Sequence, residues 1–494
     1  VVVLSTGDGI TPAAKPPPGV ASDVAAKIPT AGGITLSAEV ITPKGPGPFP
    51  LVVMPGSWGS AATEYHLPGQ QFAAQGYQVV GYAQRGFKGS GGTIDFAGPK
   101  TQADVATVIN WALTHTRADG AHIGMLGISY GAGVSLLAAA AQPRIKAVVA
   151  MSGWGDLGQA LAPNGTANVV TLHLLLDGYR SKRGALSPDL QRLADSLSSG
   201  NASEPARLLS ALGKGHSAAE RVAALNKNGP AIMLANAYQD SIVDPAQIVP
   251  FFNQLTTPRR LQLAMGDHGG PEAAGLQGKP DITFADGKRW LDRYLMGKQN
   301  GVDSAEPVQL VDEATEKLHG YRSWPKAAST ITLGLPPWTQ ALTAGTDSGA
   351  TSGPYFTQEP FPFQPPSLKM SAVQADHAFV WNGTTVERPT LISGSPSLRL
   401  AVAASASPTT LYAHLYDVDA SGTATLMTYA PMSTAGGDVS FTLHPLAWTV
   451  ASGHHLAVVI DTVDQRYLSD APSGSSVTLG STAQAPATLA LPTG

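Results

Sequence analysis

Hydrophobic positions along the chain fall into short blocks whose period changes twice. After a Pro-rich start at Pro16-Pro17-Pro18, the run Gly33-Ile34-Thr35-Leu36-Ser37-Ala38-Glu39-Val40 alternates apolar and polar as a half-buried strand does. It ends at the turn formers Pro43-Lys44-Gly45-Pro46-Gly47-Pro48. Leu51-Val52-Val53-Met54 is apolar without a break, as expected of a strand covered on both faces. A helical stretch near Gln70 to Gln75, a strand from Gln78 to Tyr82, a helix from Gln102 to Thr114 and a strand from Ile123 to Leu126 follow. A small-residue helix from Ala132 to Ala141 and an apolar strand from Lys146 to Met151 continue the series. Strands alternating with helices predict a parallel sheet with helices on both faces.

From residue 155 to 228 the period is helical with no strand between, as in a lid or cap inserted over an active site. The alternation resumes at Ala231 to Asn236 and at Arg260 to Met265, and closes with an amphipathic helix from Phe284 to Met296. Beyond Gly301 the texture changes to short alternating runs between Gly, Pro, Ser and Thr, such as Ser397 to Val402 and Thr410 to Leu415. That pattern predicts a separate all-β sandwich. The expected organisation is an α/β domain over residues 1–300 carrying a helical lid at 155–228, then a β-sandwich domain over 301–494.

Composition changes this picture by exclusion. With 494 residues the chain exceeds what one core organises, in keeping with two domains. Its 31 basic and 35 acidic side chains give a net charge of −4 with no long run of either sign, so neither nucleic acid nor an anionic membrane is expected as a partner. The longest apolar run, Val134 to Ala141 with Ser135 inside it, is far short of the ~18 residues a membrane span needs. With no cysteine, disulfides, thiolate metal sites and a cysteine nucleophile are excluded. The Pro-, Ala-, Ser- and Thr-rich start at Val1 carries the expectation of a secreted or cell-surface protein, with a cytoplasmic one as the alternative. Nothing in the sequence sets an oligomeric state.

The candidate chemistry lies between the strand at Leu126 and the helix at Ala132. Gly127-Ile128-Ser129-Tyr130-Gly131 is Gly-x-Ser-x-Gly at a strand-to-helix turn, a nucleophile elbow that lifts a serine above the sheet; glycines flank it because side chains there would collide with the neighbouring strand or helix. A serine hydroxyl needs a general base, normally a histidine oriented by a carboxylate, and in this arrangement the chain order is Ser, acid, His. His268, in Gly266-Asp267-His268-Gly269-Gly270 after the last apolar strand, is the histidine left once those before the serine, in the lid and in the β domain are set aside. Asp240 is the expected acid. Its neighbour Asp244 suits the N-cap of a helix opening at Pro245, and Asp267 is expected to be structural. For the oxyanion, Tyr130 N–H is expected as one donor and Ser57 N–H as the other, with Trp58 as the alternative donor and a wall of the acyl pocket.

Other motifs carry less. The loop from Arg85 to Gly92 lacks the Gly-Lys-Ser/Thr ending of a phosphate loop and reads as structural. No His-x-x-x-His pattern occurs, His454 and His455 face opposite ways on a strand, and Asp417 with Asp419 reads as a solvated face; no metal or other cofactor is expected.

With these residues quoted, the chain resembles the X-Pro dipeptidyl-peptidase (peptidase family S15) and cocaine esterase group of α/β-hydrolases over nearly its full length. Arg85-Gly86 with Gly89 to Gly92, Asp104 and Trp111 resembles the segment before the elbow. Gly127 to Gly131, Asp240 to Val243 and Gly266 to His268 are similar to the group's nucleophile, acid and histidine loops. Leu415 to Asp419 with Gly422, and Ser452 to Leu456, resemble its C-terminal jelly-roll domain. The resemblance implies an α/β-hydrolase fold with a jelly roll after it. Two departures stand out. Gln84 replaces the aspartate usual before Arg-Gly, and Pro55-Gly56-Ser57-Trp58 replaces a Pro-Tyr loop whose tyrosine hydroxyl often donates to the oxyanion; this loop is more similar to that of cutinases and polyester hydrolases, which implies a backbone donor.

The expected function is a serine hydrolase cleaving a small-molecule or polymer carboxylic ester through an acyl-enzyme on Ser129. An X-Pro dipeptidyl-peptidase or related amidase with the same triad is the second expectation. A catalytically silent protein binding cell wall or carbohydrate is the third.

Overall fold

In the computed structural model the described residues are 16–182, 184–353 and 363–493; the start from Val1 to Lys15, on which the export expectation rests, lies outside them. Ten strands form the first sheet: β1 Val20–Pro29, β2 Thr35–Pro43, β3 Phe49–Pro55, β4 Gln78–Tyr82, β5 Ala118–Ile128, β6 Ile145–Met151, β7 Ala231–Ala237, β8 Arg259–Ala264, β9 Val308–Val311 and β10 Leu318–Tyr321. Their order is β1-β2-β4-β3-β5-β6-β7-β8-β9-β10. From β4 to β9 neighbouring strands run parallel, and the outer pairs β1/β2, β2/β4 and β9/β10 are antiparallel. The central strands are apolar at nearly every position because helices cover both faces, and Val52, Val53, Met125, Leu126, Val148 and Val149 are wholly buried.

Helices on this sheet are α1 His66–Ala74, α2 Pro99–His115 and α3 Tyr130–Ala141; between β6 and β7 come α4 Leu157–Leu161, α5 Val169–Arg180, α6 Pro188–Ser196, α7 Ser203–His216 and α8 Val222–Asn228; and α9 Ile248–Gln254, α10 Ala273–Leu276 and α11 Ile282–Met296 close the series. Pro99 opens α2, where its missing N–H costs nothing. The five helices from α4 to α8 form the strandless insertion expected from the sequence.

The remaining strands are antiparallel and pack as a sandwich. One sheet centres on Ser397–Ala404 and Ser476–Ser481, the other on Thr409–Val418, Thr423–Thr434 and His455–Asp461, with a two-stranded ribbon of Thr390–Gly394 and Leu446–Val450 beside them. Leu398, Leu400, Leu411, Leu415, Val458 and Leu479 fill the space between the sheets. The fold is thus an α/β-hydrolase domain followed by an all-β domain.

Three features differ from the sequence reading. β1 precedes the first expected strand. β9 and β10 extend the first sheet past residue 301, because β8 pairs in parallel with β9; their runs are only four residues each, too short to announce themselves. Asp417 is buried rather than on a solvated face, accepting from Trp448 Nε1 at 2.8 Å and paired with His454 Nδ1 at 2.8 Å, while Asp419 closes a turn through Ser421 and Thr423.

Candidate active site

Three loops at the carboxyl ends of β5, β7 and β8 meet at one point, where a parallel sheet opens its crevice. Ser129 follows β5 directly, with φ +54° and ψ −117°, a conformation disfavoured for a residue with a Cβ. The surroundings enforce it. A Cβ on Gly127 would lie 2.3 Å from the Gly131 carbonyl carbon, and one on Gly131 would lie 2.0 Å from Pro55 O. The Ser129 N–H is taken by Met151 O of β6 at 2.8 Å. A further brace comes from Tyr65, whose hydroxyl donates to Pro55 O at 3.3 Å and accepts from Ile128 N–H at 2.9 Å.

Ser129 Oγ lies 2.8 Å from His268 Nε2. On the other side of the ring, Nδ1 lies 2.9 and 3.0 Å from the two Asp240 oxygens. With a carboxylate facing Nδ1, the proton belongs there and Nε2 presents its lone pair to the serine. Asp240 Oδ1 also accepts from the Ile242 and Val243 amides at 3.0 and 2.8 Å. Burial pushes the Asp240 carboxyl up, and His268 and the Val243 amide oppose that rise. Asp267 ties the acid and histidine loops together, accepting from Ser241 N–H at 2.8 Å, Ser241 Oγ at 3.0 Å and His268 N–H at 2.7 Å. Asp244 caps the turn at Pro245, as its sequence context implies, and its carboxylate lies 2.6 Å from His444 Nε2 of the β domain.

The oxyanion loop departs from expectation at Ser57. Its N–H donates to Glu64 Oε2 at 2.7 Å, so that amide is already committed. The Ser57 hydroxyl instead faces the elbow, donating to Ile128 O at 3.0 Å. Among the described residues, the N–H of Trp58 meets no acceptor, nor does that of Tyr130 in the first turn of α3, where no intrahelical partner exists.

Trp58 is 4% exposed, and its Nε1 donates to Leu175 O of α5 at 3.1 Å, fastening the oxyanion loop to the insertion. Its ring packs at 4.7 to 5.4 Å from Phe96, Phe87 and Tyr130. Two small cavities flank Ser129, both bounded by Trp58, Leu175 and Ile242. The larger, about 50 Å³, is also lined by His268 and by two carboxyl groups, Glu64 and Glu272. Burial raises the Glu64 carboxyl to about 6 and Glu272 to about 8. Glu272 is 1% exposed, and the Ser152 hydroxyl beside it opposes the rise only in part. Sequence reasoning missed both acids; Glu272 stands four residues after His268, but nothing in its spacing tells whether it faces the site or solvent.

Arg85 and Asp104 form a buried bidentate pair at 2.7 and 2.8 Å that pins the loop after β4 to α2, and Gln84 donates to Gly56 O at 3.2 Å. The loop from Arg85 is therefore structural.

Residues 32–270 match the family model of the X-Pro dipeptidyl-peptidases (S15 family), and residues 300–491 match that of the X-Pro dipeptidyl-peptidase C-terminal non-catalytic domain. The chain belongs to the S15 family of hydrolases. A comparison with curated proteins returns no match. Among solved structures, this S15 hydrolase is similar to an aminopeptidase from a marine sediment archaeon, a Thaumarchaeota archaeon, at 15% identity, covering 98% of this chain and 99% of that one with a TM-score of 0.71. It is also similar to a CocE/NonD family hydrolase from Staphylococcus aureus, at 14% identity, coverage of 95% and 93% and a TM-score of 0.68. An α-amino acid ester hydrolase matches over 100% of both chains at 16% identity with a TM-score of 0.68. At these identities the likeness speaks for the fold.

Proposed function

We propose that this S15 hydrolase cleaves carboxylic esters through an acyl-enzyme on Ser129. The observation that carries the reading is the continuous line from Ser129 Oγ through the His268 ring to the Asp240 carboxylate, with hydrogen-bonding distances at both ends. As Ser129 Oγ attacks the acyl carbon, His268 Nε2 takes its proton and later returns it to the leaving alcohol; Asp240 holds the ring's tautomer and offsets the charge of the imidazolium. The negative oxygen of the tetrahedral intermediate is met by Tyr130 N–H, with Trp58 N–H as the second donor. Water then repeats the sequence on the acyl-enzyme.

A fluorophosphonate probe and a panel of aryl esters with Xaa-Pro-anilides test this. The expected result is labelling of the wild type and none of Ser129→Ala, with ester turnover exceeding anilide turnover. Anilide cleavage far above ester cleavage would assign the peptidase reading instead, and an unlabelled wild type would leave only a binding protein.

One observation favours a narrower substrate. Glu64 and Glu272 on the wall beside Ser129 suit an acyl group bearing an amine, since an ammonium there would offset the burial of the two carboxyl groups. Comparing an amino-acyl ester with its des-amino analogue, in wild type and Glu272→Gln, measures this preference; it is discarded if both proteins treat the two esters alike.

A further inference from the structure

A second group of ionisable side chains lies outside the active site, where β1, β2 and the start of α1 meet. Asp23 on β1 faces Ile41 of β2, and Ala25 faces Glu39, so Asp23 and Glu39 are diagonal neighbours on one face of the ribbon. The first residue of α1, His66, reaches over them because α1 lies close on β2; a Cβ on Gly69 would come within 2.8 Å of Ile41 Cδ1. His66 Nδ1 is 2.7 Å from Glu39 Oε1 and 3.4 Å from Asp23 Oδ2. One ligand atom from each of the three residues lies within 4.8 Å of the other two.

The charges do not balance. The side chains of Asp23 and Glu39 are 6% and 7% exposed, and among the described residues their one ion-pair partner is His66, which supplies at most one positive charge. Two carboxylates held side by side out of water call for a further cation or a shared proton. The atoms offered are two carboxylate oxygens and an imidazole nitrogen. Calcium and magnesium take oxygen ligands, whereas this mixed set suits zinc and its neighbours. Zinc bonds of about 2.0–2.1 Å place tetrahedral ligands about 3.3 Å apart; the Asp23–His66 separation is 3.4 Å, and Glu39 and His66, now at the 2.7 Å of a hydrogen bond, would have to part by about 0.6 Å to admit the ion. Gln70 Nε2 donates to Asp23 Oδ2 at 2.8 Å, as an outer partner that orients a ligand would. The His66 side chain is 42% exposed, which leaves a water-accessible side for a fourth ligand.

We propose that Asp23, Glu39 and His66 form a structural divalent-metal site with zinc as its ion. The ion would fasten the β1–β2 ribbon to the start of α1. Directly before His66 stand Glu64 and Tyr65, which hold the oxyanion loop and the elbow strand. The site therefore acts on the stability of the scaffold and takes no part in bond breaking.

The test uses untagged full-length protein, stripped with a chelator and titrated with zinc by calorimetry, with cobalt as an absorbing substitute. Expected are one equivalent bound in the micromolar range or tighter, a rise of several degrees in Tm on adding zinc, and a loss of at least tenfold in affinity in each of Asp23→Asn, Glu39→Gln and His66→Gln. Fluorophosphonate labelling of Ser129 in metal-free variants checks that they fold. No stoichiometric uptake, or uptake unchanged in His66→Gln and Glu39→Gln, overturns the site. A Tm that zinc leaves unchanged while metal-free Glu39→Gln is more stable than wild type also overturns it, since the carboxyls would then be sharing a proton.

Discussion

Asp240 and Asp244 stand four residues apart in one loop, yet their surroundings set them different tasks. Asp240 is held by two amides and the His268 ring, whereas Asp244 caps a turn and faces His444. Asp240→Asn is expected to lower ester kcat by about 10⁴-fold, since an amide no longer enforces the tautomer, and His268→Ala by a comparable or larger factor. Asp244→Asn should leave kcat within about tenfold of wild type while lowering the denaturation midpoint. A dead Asp244→Asn beside an active Asp240→Asn would reverse the two assignments. Glu272 gives a pH signature. Its folded-state carboxyl titrates near 8 against an ordinary 4.5, so the folded chain holds a proton that the unfolded chain has released. Below pH 4.5 both states are protonated and no difference arises; as pH rises from 4.5 toward 8 the folded state loses stability relative to the unfolded. Glu272→Gln should therefore match the wild type near pH 4.5 and exceed it by on the order of 1 kcal/mol or more at pH 8, as read from urea midpoints.

At the level of elements, the elbow is made by three backbones in near contact: the β5 end, the first turn of α3 and the loop after β3. Gly131→Ala would drive a methyl into Pro55 O and is expected to abolish fluorophosphonate labelling and to cost about 3 kcal/mol or more of stability, if it folds at all. Trp58→Ala removes the ring that fastens this loop to α5; KM is expected to rise by more than tenfold with a smaller change in kcat. The parts of the site legible in the sequence are those tied to strand ends. Ser129, Asp240 and His268 each follow an apolar strand in an order the chain displays, and the glycines at 127 and 131 announce a steric constraint. What the sequence hides depends on tertiary direction. The Ser57 amide is turned away by Glu64, a residue seven positions later whose loop conformation no period encodes, and Glu272 is distinguished only by lying in a cavity. Asp23, Glu39 and His66 belong to the same class, since a diagonal strand pair and a helix start share no spacing rule.

Across the whole molecule, the β domain supports the acid loop from behind. Gln239 Nε2 donates to Met427 O at 3.2 Å, and the Asp244 carboxylate lies 2.6 Å from His444 Nε2 in a buried contact between the domains. Removing the imidazole leaves the buried Asp244 carboxylate without that neighbour, so His444→Ala is expected to destabilise the protein by about 1–3 kcal/mol as read by chemical denaturation, with the ester kcat of the folded fraction largely kept. The change of texture near Gly301 is legible because alternating short runs replace helical ones. The place where the first sheet ends is not, because β9 and β10 are too short to carry a period, and it emerges only from pairing with β8. That extension bears on exchanging modules among S15 hydrolases. A splice at residue 301 would strip two strands from the receiving sheet and expose the edge of β8, the outermost strand left on that side, to pairing with other chains. A graft joined after Tyr321 leaves both units with finished edges, and it is there that recombination should yield soluble hybrids.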